Sequence, residues 1–146
     1  MSKLFKKGER GATLVEFSIA ATVFLTAMFG VIEFGRALWV HNALADAARR
    51  GARYAVLNTS ANAAQVKNVV VYGDPAGGTK PVVPNLTTGN VSVNYSSFAL
   101  NKGTATVGIT NYKFQFVLPL LGTTITMPNY STTLTGESVG WIPKDM

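Results

Sequence analysis

From Ala12 to Ile32 the chain runs 21 residues with a single charge, Glu16. No other feature restricts the possible folds as tightly. As an α-helix this run is about 31 Å long at ~1.5 Å per residue, the thickness of a ~30 Å hydrocarbon core. Its centre, Phe17-Ser-Ile-Ala-Ala-Thr-Val-Phe-Leu-Thr-Ala-Met-Phe-Gly-Val-Ile32, is apolar all round and leaves no face for water. A soluble chain of 146 residues rarely has enough material to wrap such a helix on every side. A removable secretory signal is a poorer fit, because its apolar region is only roughly 7–15 residues long. The one small-x-small site nearby, Ala43-Leu44-Ala45, also lies beyond Glu33, Arg36 and His41, too far from the run. The expectation is a transmembrane helix over 12–32.

The flanking charges orient it. Lys3, Lys6, Lys7 and Arg10 precede the run, and Glu33, Arg36, Trp39 and His41 follow it. A basic leader stays cytoplasmic, so the C-terminal bulk is expected across the membrane, with Trp39 as an interfacial anchor. The same distribution disposes of a first impression. A net charge of +6 points to nucleic acid until the cations are located. Eight of the 13 basic residues lie in 1–57, and the back half has no basic patch with interleaved aromatics. No nucleic-acid partner is expected.

Catalysis finds no support either. The chain has no cysteine, which removes disulfides, thiolate metal sites and cysteine nucleophiles. It has no Gly-rich phosphate loop, no Ser-His-Asp set and no carboxylate pair, and Asp74, Glu137 and Asp145 are scattered. His41 is the sole histidine and has no second ligand at metal spacing. The expectation is a non-enzyme with no cofactor, metal or small-molecule substrate.

The helical pattern continues past the span. No proline occurs from Met1 to Gly73, and 33–57 is rich in alanine, the best helix former. Ala37, Val40, Leu44, Ala47, Gly51 and Tyr54 follow three-four spacing and make a stripe of mostly small residues. One helix from about Thr13 to Leu57 is predicted, apolar all round at first and amphipathic afterwards, ending at Asn58-Thr59-Ser60. Asp46 is spaced to pair with Arg49 or Arg50, and Glu33 with Arg36. Arg49, Arg50 and Arg53 read as a solvated face or as a contact with the chain's own sheet or a partner subunit. Their distance of about 26–32 Å beyond Ile32 argues against lipid headgroups if the helix stands upright.

Glu16 is the unusual residue. A carboxylate inside a spanning segment costs a few kcal/mol, and Ala12, Thr13, Ile19 and Ala20, its neighbours at helix spacing, are uncharged. Its context is Lys6-Lys7-Gly8-Glu9-Arg10-Gly11-Ala12-Thr13-Leu14-Val15-Glu16-Phe17. This resembles a type IV prepilin processing site, in which a basic leader ends in glycine and the fifth residue after the cut is glutamate. The resemblance narrows with Phe29-Gly-Val-Ile-Glu-Phe-Gly-Arg36 and Ala47-Ala-Arg-Arg-Gly-Ala-Arg-Tyr-Ala-Val56. Residues 10–57 look like the TadE-like family of the tight-adherence (Tad, or Flp) pilus system. Phe17 stands where major Tad pilins usually place tyrosine, and the apolar run lacks the proline that family members often carry.

The resemblance implies a pseudopilin that serves pilus assembly and surface attachment. A prepilin peptidase would cut it between Gly11 and Ala12 and leave it anchored in the bacterial inner membrane. The N-terminus would be cytoplasmic and the C-terminal domain periplasmic, with other Tad pilins and the assembly platform as partners. Gly11, Ala12, Glu16 and Phe17 would form the processing site. Glu16 would pair with the new amine of a neighbouring subunit, while Ala27 and Gly30 would serve close lateral packing of helices. The alternative is an uncleaved single-pass protein whose periplasmic domain binds a ligand or senses the envelope.

From residue 58 the composition turns to Val, Thr, Asn, Gly and Pro. Val66–Tyr72 reads as a strand or a helix-to-strand transition. Gly73–Pro81 and Pro84-Asn85 read as turns and loops. Val91–Tyr95 alternates with period two and reads as a strand. Ala105–Phe116 reads as another strand, with a change of parity at Asn111 that suggests a bulge. Pro119–Gly122 breaks it. Thr123–Met127 is apolar enough to pack, and Tyr130–Leu134 leads to a last strand near Ser138–Trp141. Three to five antiparallel strands packed on the amphipathic half of the helix make an α+β, pilin-like architecture. The expected layout is a cleavable leader over 1–11, a span over 12–32, a helical extension over 33–57 and a strand-rich domain over 58–146.

Overall fold

A computed structural model describes residues 7–58, 62–96, 103–117 and 124–136. The chain is α+β, with a long N-terminal helix followed by small antiparallel sheets. Helix α1 is Lys7–Leu57, α2 is Ala63–Tyr72, and a 3-10 turn covers Thr88–Asn90. The strands are β1 Val91–Ser96, β2 Thr104–Ile109, β3 Lys113–Gln115, β4 Thr124–Thr126 and β5 Tyr130–Thr135. The residues divide into two compact units, Met1–Arg36 and Ala37–Met146, and α1 contributes to both.

In Met1–Arg36 the apolar side chains of α1 are uncovered. Leu14, Phe17, Ile19, Val23, Phe24, Val31 and Ile32 are all exposed. Gly11–Leu57 is long and apolar enough to cross a membrane, and no other helix among the described residues is. Its hydroxyls do not depend on water. Ser18 Oγ donates to Leu14 O at 2.7 Å, Thr22 Oγ1 to Ser18 O at 2.8 Å and Thr26 Oγ1 to Thr22 O at 2.8 Å. This back-bonding one turn upstream satisfies a polar group inside an apolar helix.

In Ala37–Met146 the stripe read from the sequence faces the core. Val40, Leu44, Ala47 and Gly51 are buried, as are Ala48, Ala52 and Ala55, while Ala37 and Tyr54 are half-buried. The small residues let the helix backbone come close to its neighbours. At Gly51 the approach is tightest, with Val70 of α2 and Val107 of β2 against the Cα.

Two expectations are corrected. Val66–Tyr72 is helical, not a strand or a transition. Val66, Val69 and Val70 fall at three-four spacing on the buried face, and both ends are capped. The Asn62 side chain accepts from Gln65 N at 2.9 Å, and Gly73 closes the far end in the left-handed conformation at φ 80°. Core packing and caps outweigh the weak helix propensity of valine. The single bulged strand over 105–116 is instead β2 and β3, in different sheets. The change of parity at Asn111 marks a corner, because Asn111 takes φ 56°, a conformation asparagine tolerates. Asn90 Nδ2 donates to Thr110 O at 3.1 Å and to Asn111 O at 3.2 Å, which pins the corner.

The larger sheet has the order β1-β2-β5, antiparallel throughout, with Val93 opposite Val107 and Val107 opposite Thr132. Central β2 buries Ala105, Val107 and Ile109. The smaller sheet pairs β3 with β4, placing Phe114 opposite Ile125. Phe114 is buried, but Thr124–Thr126 is exposed, so among the described residues of the segment expected to pack only Met127 is buried. The expected break at 119–122 and the expected strand at 138–141 lie outside the described residues.

Candidate functional site

The sequence-predicted site lies on the first turns of α1. Gly11, Ala12, Glu16, Phe17 and Ala27 are exposed and Gly30 is half-exposed. All six belong to one unbroken helix. At ~100° per residue, Ala12, Ala20, Ala27 and Gly30 fall within about 40° of Glu16 around the axis. Glu16 therefore shares its face with these four small residues and with Val23, about 20° from it, and Ala12 is one turn below it. Phe17 points about 100° away from that face. By the same count Ser18 and Thr22 lie about 160° and 120° from Glu16, and Thr26 lies to one side at about 80°. Among the described residues, Glu16 has no ion-pair or hydrogen-bond partner.

Farther along α1, Glu33 is buried, and its carboxylate accepts from Arg36 Nη2 at 2.8 Å and from Arg36 Nε at 3.2 Å. This is the pair expected from the spacing. Of the two pairings open to Asp46, the structure has Arg50, with Nη1 at 3.6 Å from Asp46 Oδ2.

His41 has a partner that sequence reasoning missed. Its Nδ1 lies 2.8 Å from the Tyr130 hydroxyl, and the rings meet edge to face with centroids 5.2 Å apart. The contact joins residues 89 apart in sequence, so no local spacing announces it. Burial pushes the Tyr130 phenol pKa up. Tyr95 is raised as well, by burial first and then by the nearby Tyr54 phenol. A histidine so engaged is a link between the helix and β5. Among the described residues no group of acids and histidines is placed to hold a metal.

Residues 11–53 match a family model described as TadE-like protein. The chain carries a TadE-like segment. It begins at Gly11, takes in Glu16, Ala27 and Gly30, and ends at Arg53, all within α1. The TadE-like segment covers under a third of the chain, and the strands lie outside it. A TadE-like segment points to a protein associated with the Tad pilus. No curated protein and no solved structure matches the chain.

Proposed function

We propose that the chain is a pseudopilin of a Tad pilus, cut between Gly11 and Ala12 by a prepilin peptidase and held in the inner membrane by α1. The observation that carries this reading is the position of Glu16. It is the sole charge of the uncovered apolar run 12–32, on a face with Ala12, Ala20, Ala27 and Gly30, five residues after the glycine that opens the TadE-like match. In hydrocarbon an unpaired carboxylate is costly, so the helix demands a cation. Cleavage before Ala12 supplies one, an α-amino group on the same face. Side by side, two such helices place the amine of one against the carboxylate of the other, and the small side chains let the backbones approach.

Gly11 suits the cut for two physical reasons. It lacks a Cβ, so its backbone enters a narrow cleft, and it weakens the helix by about 1 kcal/mol relative to alanine, which eases unwinding. The leader of four cations keeps the uncut end cytoplasmic. Nothing in this proposal calls for catalysis by the chain itself.

The test is mass spectrometry of protein extracted from membranes. The expected N-terminus is Ala12 in cells with active peptidase, and the full chain in cells without it or with Gly11→Ala. Nothing lies within 4 Å of a Cβ added at Gly11, so that substitution leaves the fold undisturbed and reports on the cut alone. A Met1 start in cells with active peptidase overturns the proposal in favour of an uncleaved single-pass protein. Glu16→Ala is expected to be cut but to fail in assembly, and normal assembly of that variant refutes the pairing role.

A further inference from the structure

Beside β5, three arginines overhang a depression of about 410 Å³. Its lining is Asp46, Arg49, Arg50, Arg53, Thr132 and Leu134. The helix places Arg49 and Arg53 one turn apart and exposed, with Arg50 between them half-buried. Thr132 and Leu134, two apart on β5, share the face beneath.

The electrostatics of this depression are incomplete. Three guanidinium groups face one carboxylate. Arg50 Nε and Nη2 are shut off from solvent and have no hydrogen-bond partner among the described residues. The carboxylate of Asp46 reaches only Nη1, at 3.6 Å, beyond hydrogen-bond length. Nε and Nη2 are out of a ligand's reach, so the charge open to one is that of exposed Arg49 and Arg53 with the exposed part of Arg50, and the group that best answers guanidinium groups is a carboxylate or a phosphate.

We propose that Arg49, Arg50 and Arg53, with Thr132 and Leu134, form a recognition site for an acidic, partly apolar segment of a partner protein. Two features select a protein carboxylate over a phosphate. Asp46 lies in the same lining, and its charge repels a dianion more than a single carboxylate. Leu134 adds an apolar floor, which suits a side chain flanking the acid and gives nothing to a free phosphate. In addition β5 is an outer strand of its sheet among the described residues, so an extended segment has a backbone edge to lie along. This site depends on residues of Ala37–Met146 and stands whether or not the chain is cut at Gly11.

The experiment uses the full chain in a nonionic detergent. The probe is a fluorescently labelled, terminally blocked peptide alternating leucine and glutamate, read by anisotropy, with the leucine–glutamine peptide as control. Saturable binding is expected for the glutamate peptide, at least about fivefold tighter than for glutamine, and weakened by added salt. Arg50→Gln and Arg53→Gln are each expected to weaken it at least about fivefold. Arg53 is exposed, so its substitution leaves the fold intact. Arg53→Glu with a leucine–lysine peptide is expected to restore binding. Equal binding of the glutamate and glutamine peptides, no binding, or indifference to Arg53→Gln overturns the proposal. So does displacement of the peptide by inorganic phosphate at matched ionic strength, or binding confined to phosphatidylglycerol vesicles, which assigns the arginines to phosphate or lipid.

Discussion

Replacing Gly51 by alanine sets two opposing effects against each other, and the structure decides between them. In a helix interior alanine is better than glycine by about 1 kcal/mol. At Gly51, however, the new methyl falls well inside van der Waals contact with Val70 Cγ2 and 3.3 Å from Val107 Cγ1. Neither neighbour yields easily. Both valines are fully buried, and Val70 sits on α2, where a β-branched side chain has one favoured rotamer. Overpacking of this kind costs typically 1–3 kcal/mol, and a severe overlap with a locked partner belongs at the upper end. Subtracting the propensity gain leaves a net loss of about 2 kcal/mol. For a domain of this size that is a fall of roughly 8 °C in Tm.

The assay is thermal unfolding of the full chain in detergent, followed by near-ultraviolet circular dichroism. Gly30→Ala is the matched control, because no atom lies within 4 Å of a Cβ built there and only the propensity gain remains. Val70→Ala supplies the mechanism test. It removes the obstructing methyls, so Gly51→Ala is expected to cost at least about 1 kcal/mol less in that background. If Gly51→Ala is as stable as Gly30→Ala, or if Val70→Ala leaves its cost unchanged, close packing of α1 against α2 and β2 is refuted.

Arg50→Met is expected to leave Tm unchanged or to raise it, since a half-buried guanidinium with two unsatisfied nitrogens is no asset to stability; a large fall measured by the same unfolding assay contradicts this. Tyr130 gives a pH dependence. Its phenol is raised above 10 in the folded chain, so the folded state holds a proton that the unfolded state loses. The stability it contributes is whole below about pH 10 and is lost as pH rises from there through the folded value. Denaturant titrations from pH 9 to 12 are expected to show a steeper alkaline loss for the native chain than for Tyr130→Phe, and superimposable profiles refute it.

How far the fold was legible depended on the range of the interactions involved. The long apolar helix, the stripe from Val40 to Gly51 and the pairs Glu33–Arg36 and Asp46–Arg50 all rest on spacings within one helix, where residues near in sequence are near in space. The strand signal at Val66–Tyr72 misled because valine favours strands only as far as packing allows. There the side-chain spacing fits a helix face, and the Asn62 and Gly73 caps were the local signs available. The corner at Asn111 was visible as a change of parity but not as a turn, because the Asn90 side chain that pins it is 20 residues away from Thr110. The His41–Tyr130 bond and the approach of Thr132 and Leu134 to the arginines are products of the tertiary fold, with no local trace.

The two halves of α1 meet the problem of an apolar helix in opposite ways. In 40–55 the side chains are small, and the chain covers them with its own valines and its own sheet. In 14–32 many are large, and the chain leaves those bare. Bare apolar surface on that scale needs another nonaqueous neighbour, lipid or further helices. The hydroxyls of Ser18, Thr22 and Thr26 are indifferent to which, since each is satisfied inside the helix. Glu16 is not indifferent. Lipid alone offers its carboxylate no cation, whereas a second helix cut before Ala12, as proposed above, would offer one about a turn away along the axis. The one charged residue of the run is thus the group whose energetics separate a lone anchor from an assembled subunit, and Glu16→Gln is the variant that separates them experimentally. It is expected to stay membrane-embedded on carbonate extraction while losing lateral association in cysteine-free, in-cell cross-linking. Unchanged cross-linking assigns the carboxylate to the lone anchor instead.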